Sequence, residues 1–223
     1  MQARSKNEQS DRCTELVQWP FSQILSVHKT AKFNLAFLMQ SVSELFSSVD
    51  RELWVVTSAA DRRSGLVASW VMQASIDPER PRILVGLAPN HFTAELAEQS
   101  GAIAVHLVRN DQLALVWRFG LSSGRDEDKF RSLEVSTGRS GAPILEDCLA
   151  WADGRVIERF RTPERTFFLA EVIAASAPRS GEALRESAVA KAADPQQRAA
   201  LAAGMAYDIQ VARTRAEAEG GRT

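Results

Sequence analysis

The side chains with the most chemistry to offer are short hydroxyls and amides set among small residues: Ser69, Gln73 and Ser75 in one stretch, Asn90, His91 and Thr93 in another. Asn90-His91-Phe92-Thr93 runs straight into a short helical segment at 94–99. A helix N-terminus favours an anion, through its unpaired N–H groups and its dipole. Plainer roles stand beside that one. Thr93 also reads as a helix cap and His91 as a surface loop residue. Ser69 and Ser75 also read as small outward residues on strands, and Trp70 as a core or interface aromatic. Lys129 sits in the charged run SSGRDEDKF, which reads as a solvated loop or short helix, and Phe130 reads equally as core.

Other chemistries are poorly supplied. The three histidines, His28, His91 and His106, show no HExxH spacing, which argues against a histidine-based metal site. Cys13 and Cys148 lie far apart with no CxxC, which fits a reducing cytoplasm and excludes a cysteine zinc knuckle. Neither GxGxxG nor GxxxxGK[ST] occurs, so a nucleotide-like cofactor has to be held some other way. The 27 Lys+Arg and 28 Asp+Glu leave a net charge of −1, against an electrostatic nucleic-acid binder. The uncharged runs 16–28 and 64–76 fall short of the ~20 apolar residues of a membrane span. The N-terminal MQARSKNEQSDRC lacks the apolar stretch of a signal peptide. A hydrophobic fraction of 45% and 25% charged residues belong to an ordinary globular chain with a sizeable core.

The elements that must position these groups follow from periodicity. Residues 1–13 read as a polar, disordered tail. Apolar residues at helical spacing run from about Leu16 to Val49, with Phe33, Phe37, Leu38, Leu45 and Phe46 on one face and Pro20 before or interrupting the helix. Dense β-type runs follow at 53–58, 65–75, 82–88 and 102–108, with a turn over 61–65. Helices are expected at 94–99, closed by Ser100-Gly101, and at 112–119, capped by Asp111. Two or three antiparallel strands fill 144–176, with turns at Asp153-Gly154 and Thr162-Pro163. From Glu182 the chain becomes alanine-rich and helical. Asp194-Pro195 opens its second segment, which carries the apolar stripe Leu201, Met205, Ile209 and Ala212. Many short strands with two helical insertions predict a mainly β, antiparallel, closed or nearly closed barrel flanked by helices.

The order of segments resembles the flavin reductase-like family, whose fold is an FMN-binding split β-barrel. The resemblance rests on Val55-Val56-Thr57, Gly65-Leu66-Val67-Ala68-Ser69, Ala74-Ser75, Asp77-Pro78, Asn90-His91-Phe92-Thr93, Asp128-Lys129-Phe130, Gly141-Ala142-Pro143-Ile144-Leu145 and Thr166-Phe167-Phe168-Leu169-Ala170-Glu171-Val172. The stretch from Ala68 to Ser75 is similar to the flavin reductase domain fused to cyanobacterial flavodiiron proteins. This implies three regions: a polar tail and helical region at 1–46, the split-barrel domain at 47–176, and a helical extension at 177–223.

The resemblance also implies a site. A flavin phosphate needs several donors aimed at one point. Backbone amides at Ala68, Ser69 and Trp70 with the Ser69 hydroxyl, and Asn90, His91 and Thr93, would supply them. Val71, Gln73, Ala74 and Ser75 would border the ring, Lys129 would add charge and Phe130 an apolar contact. Arg165 stands where the family commonly has a histidine, and an arginine donates no proton at neutral pH. The implied activity is a cytoplasmic, homodimeric NAD(P)H-dependent flavin reductase. Hydride would pass from reduced nicotinamide to FMN or FAD, and the electrons or reduced flavin would go on to an oxygenase or redox partner. The alternatives are an FMN-binding electron-transfer protein without general reductase activity, and a non-redox binding module.

Overall fold

The structure is a computed structural model and describes residues 35–220. The expected polar tail, the helix start near Leu16 and Pro20 lie outside the described residues, as do Cys13 and His28. The first unit ends at Val49, and its described element is helix α1 (Leu35–Ser47). No described helix is long and apolar enough to cross a membrane.

The second unit begins at Asp50. Its strands are β1 (Trp54–Ala59), β2 (Arg63–Ala68), β3 (Val71–Gln73), β4 (Arg82–Leu87), β5 (Ala102–Leu107), β6 (Val135–Thr137), β7 (Pro143–Leu145), β8 (Ala150–Arg161) and β9 (Thr166–Ala175). Its helices are α2 (Phe92–Ser100), α3 (Leu113–Gly120), α4 (Glu186–Ala192) and α5 (Pro195–Gly220). Seven strands form one antiparallel sheet in the order β2-β1-β5-β8-β9-β4-β3, and β6 pairs with β7 apart from it.

The expected single strand over 65–75 is two strands. It bends at Ser69-Trp70, so β2 pairs with β1 at one edge of the sheet and β3 with β4 at the other. Only those two residues join the edges, so the sheet must curl until its edges meet, and the seam is closed by covalent chain. Trp70 fixes the bend by accepting the Gly86 N–H at 2.8 Å.

The dense apolar runs follow from burial on both faces, because successive strand residues point to opposite sides. Val56 packs inside the barrel with Val85, Leu87, Val105 and Phe168. Its neighbour Val55 packs on the other face with Val116, Phe119, Phe130 and, from the C-terminal segment, Leu184 and Val189. α4 is therefore seated on the barrel, beside the bridge from Glu52 to Arg185.

Two local expectations are corrected. Asp153-Gly154 is not a turn but a β-bulge inside β8. Asp153 is fully buried there and accepts both the backbone N–H and the hydroxyl of Ser140, which holds the strand straight through the acidic position. Gln112, not Asp111, precedes α3. The Gln112 amide is clamped between the Arg109 N–H (3.1 Å) and the Asp147 carbonyl (2.6 Å), while Asp111 is drawn to the Arg109 guanidinium (2.7 Å). The Thr162-Pro163 turn forms as expected, closed by Thr162 N–H to the Arg165 carbonyl at 2.8 Å.

Candidate functional site

A cleft of about 870 Å³ opens where β2, the start of α2, the loop around Gly124, the turn at Glu164-Arg165 and helix α5 meet. That volume lies within the range of small-molecule and cofactor sites.

Its polar floor is built by α2. The first N–H groups of any helix lack intrahelical acceptors. His91 stands at the N-cap in an extended conformation, and its side chain caps none of them. The helix closes on Gly101, whose φ of 68° is the left-handed conformation that a side chain disfavours. Thr93 and Ser64 are buried and joined hydroxyl to hydroxyl at 2.9 Å, with Thr93 donating. Ser64 thereby keeps its own proton to give. Asn90 and His91 aim their side-chain N–H groups at one carboxylate, that of Asp208 on α5. Asn90 Nδ2 donates to Oδ1 at 2.9 Å, and His91 Nε2 lies 3.1 Å away. The Asn90 Oδ1 atom is buried with no hydrogen-bond partner. Burial pushes the His91 imidazole below its ordinary value, opposed by Asp208.

Cations surround this floor. Arg125 pairs with Glu95, donates to the Asn90 carbonyl at 3.3 Å and lies 5.1 Å from the Phe92 ring centre. Buried Lys129 donates to the carbonyls of Gly65 and Phe119, each at 3.0 Å, and burial lowers its ammonium to about 8. It ties β2 to α3 while carrying charge at the cleft. Outside the cleft lining, Phe160, Phe167 and Trp70 stack in sequence, with centroid separations of 4.4 and 6.0 Å. The Arg165 guanidinium lies 4.7 Å over Trp70 as the outer layer.

The residues singled out from sequence are distributed over several places. Asn90, His91, Thr93, Lys129 and Arg165 share this cleft. Val71, Gln73 and Ser75 line a second one of about 530 Å³, beside Trp54 and Trp151. Gln73 there donates to the Ser75 carbonyl at 2.5 Å, and Ser75 Oγ accepts the Arg82 N–H at 2.9 Å. Exposed Ala74 pairs through its backbone with Arg82. Ala68, Ser69 and Trp70 form the seam of the barrel. Phe130 is packed in the core, edge-on to Phe119 at 5.4 Å. Sequence reasoning did not single out Ser64, Arg125 or Asp208. Asp208 had a signal: with Leu201, Met205, Ile209 and Ala212 it falls on one helical face, the lone acid in an apolar stripe.

Residues 46–188 match the family model described as Flavin reductase like domain. Among curated proteins, an uncharacterized protein of Escherichia coli, YddH, is 32% identical over 124 residues, covering 53% of this chain and 64% of its own length. The ferric-chelate reductase (NAD(P)H) of Archaeoglobus fulgidus is 26% identical over 144 residues, covering 63% of this chain and 84% of its own. Among solved structures, the FMN-binding protein from Thermus thermophilus superposes with a TM-score of 0.56 at 26% identity, covering 61% of this chain and 82% of its own.

Proposed function

The chain belongs to the flavin reductase-like family, and from that premise we propose that it is an NAD(P)H:flavin oxidoreductase whose flavin phosphate is held at the start of α2. The observation that carries this reading is the seat beneath Asp208. Two side-chain N–H donors converge on a single anionic group at a helix N-terminus, inside a cleft of cofactor size. The donor set suits a phosphate: Asn90 and His91 donate from side chains, Ser64 keeps a hydroxyl proton, and Thr93 orients it. Lys129 and Arg125 add positive potential.

A bound flavin itself supplies the hydride-accepting chemistry. The chain supplies position and field. The seam residues Ala68, Ser69 and Trp70, with Val71 and Gln73 on β3 and Ala74 and Ser75 just after it, would border the ring. Phe130 would act from the core behind Lys129. Arg165, fixed on Trp70 at the rim, would bind a phosphate of the pyridine nucleotide and bring the nicotinamide to the open side of the cleft. FMN is the expected flavin, with FAD the other candidate. The barrel at 47–176 would carry the chemistry, with the helical extension of 177–223 beside it. The unit at work would be a cytoplasmic homodimer delivering reduced flavin or electrons to an oxygenase or redox partner.

The purified protein, incubated with FMN, should retain a visible flavin spectrum that bleaches anaerobically on adding NADPH or NADH. A protein that takes up no flavin would overturn the reading. Bound flavin that neither nucleotide reduces would leave the second reading, an FMN-binding electron carrier. The specific feature favouring that outcome is Arg165, which holds the family's histidine position and cannot release a proton at neutral pH.

A further inference from the structure

The anion seat already holds an anion, and it comes from the chain's own C-terminal helix. Asp208 lies more than a hundred residues beyond its donors Asn90 and His91. Its side chain is 20% exposed, while Met205, Tyr207 and Ile209 around it are 67%, 60% and 45% exposed. Ala212 is the only residue of α5 that is buried. The Asp208 carboxylate is therefore the polar hold of the helix on the cleft, beside a small apolar contact at Ala212.

α5 is attached to α4 through a two-residue joint, buried Ala193 and exposed Asp194. Asp194 Oδ1 accepts the Gln197 N–H at 2.7 Å, and Gln197 Oε1 accepts the Asp194 N–H at 2.9 Å, a reciprocal box that fixes the helix start. Just before it, α4 is anchored in the core through Val189. Ala193 and Asp194 thus join a fixed short helix to a long one gripped near its middle. The grip is incomplete, because Asn90 turns its amide toward Asp208 and leaves its own oxygen buried and unpaired. A carboxylate and a phosphate monoester are both anionic acceptors, and two such groups cannot share one donor pair without repulsion.

We propose that Asp208 is a specificity-determining residue, a built-in occupant of the anion seat that a phosphate-bearing flavin must displace by swinging α5 off the cleft. This rests on the flavin site proposed above. FMN binding is then opposed by a competitor on the same chain, so the flavin exchanges readily. A flavin lacking the phosphate has no claim on the seat and meets no such competition.

The test measures dissociation constants of FMN and of riboflavin for the wild-type protein, Asp208→Ala and Asp208→Asn. Hydrogen exchange is followed over residues 195–220 in the same samples. The proposal expects Asp208→Ala to tighten FMN at least tenfold and to leave riboflavin within twofold. Asp208→Asn, which removes charge while keeping shape, should move FMN in the same direction. FMN added to wild type should speed exchange along α5, and riboflavin should not. Weaker FMN binding in both variants would make Asp208 a positioning group for His91 and overturn the gate, as would equal tightening of both flavins or slower exchange in α5 with FMN. If neither flavin binds any of the three proteins, the flavin site itself is refuted, and the gate with it.

Discussion

His106 shows how much a single buried ring can decide. It is fully buried, its Nδ1 donates to the Val55 carbonyl at 2.9 Å, and its Nε2 accepts the Leu145 N–H at 3.1 Å. Both nitrogens are used by the neutral tautomer, so a second proton would break the bond to Leu145. Burial accordingly pushes the imidazole from its ordinary 6.5 down to about 4. The unfolded chain takes up that proton between those two values and the folded chain does not. Stability present above pH 6.5 is thus lost progressively as the pH falls toward 4, by about 3 kcal/mol in all. Urea unfolding at pH 7 and at pH 4.5 should show most of that loss, while the imidazole nitrogens keep neutral-tautomer NMR shifts at pH 5. At the cleft, Thr93→Ala and Ser69→Ala should each weaken FMN by about 1–2 kcal/mol, read as a five- to thirtyfold rise in dissociation constant. Unchanged affinity in both would move the phosphate elsewhere. Arg165→Ala should raise the nicotinamide Michaelis constant, most for NADPH; equal constants for variant and wild type would reduce Arg165 to a lid on Trp70. That Asn90, His91 and Thr93 lie together was legible, because a donor cluster at a helix start has a local signature. Asp208 was harder to see, because its role depends on a partner more than a hundred residues away.

At the scale of elements, strand positions were legible from local runs of Val, Ile and Leu, and strand partners were not. The stretch 65–75 has the composition of one strand throughout, and what breaks it is the closure of the barrel, a constraint no local window contains. Asp153-Gly154 has the composition of a turn, and the Ser140 backbone and hydroxyl overrule it by satisfying the acid inside β8. Gly65 is a position where the elements press hardest. A Cβ there would lie 2.8 Å from Phe119 Cε1 and 3.2 Å from Thr57 Cγ2, and Phe119 is itself buried. Gly65→Ala should therefore cost about 1–3 kcal/mol in thermal or urea unfolding. A neutral result would mean that β2 and α3 can part by several tenths of an ångström.

For the whole molecule, the barrel class was legible because many short strands with few helices admit few architectures. The packing of 183–193 onto it was not, since Leu184 and Val189 look like any apolar residues of an alanine-rich segment. If the working unit is the proposed homodimer, light scattering on a sizing column should give twice the 24.5 kDa of one chain, and a single-chain mass would refute that arrangement. The seam at Ser69-Trp70 has a further consequence during synthesis. β3 and β4 are complete once residue 87 has emerged, yet β4 pairs with β9, which begins at residue 166. At ribosomal speeds of about 5–20 residues per second, that leaves a wait of roughly 4–16 s. For that time Val85 and Leu87, later sealed in the core, belong to a hairpin with both outer edges unpaired, and the nascent chain is then most in need of a chaperone.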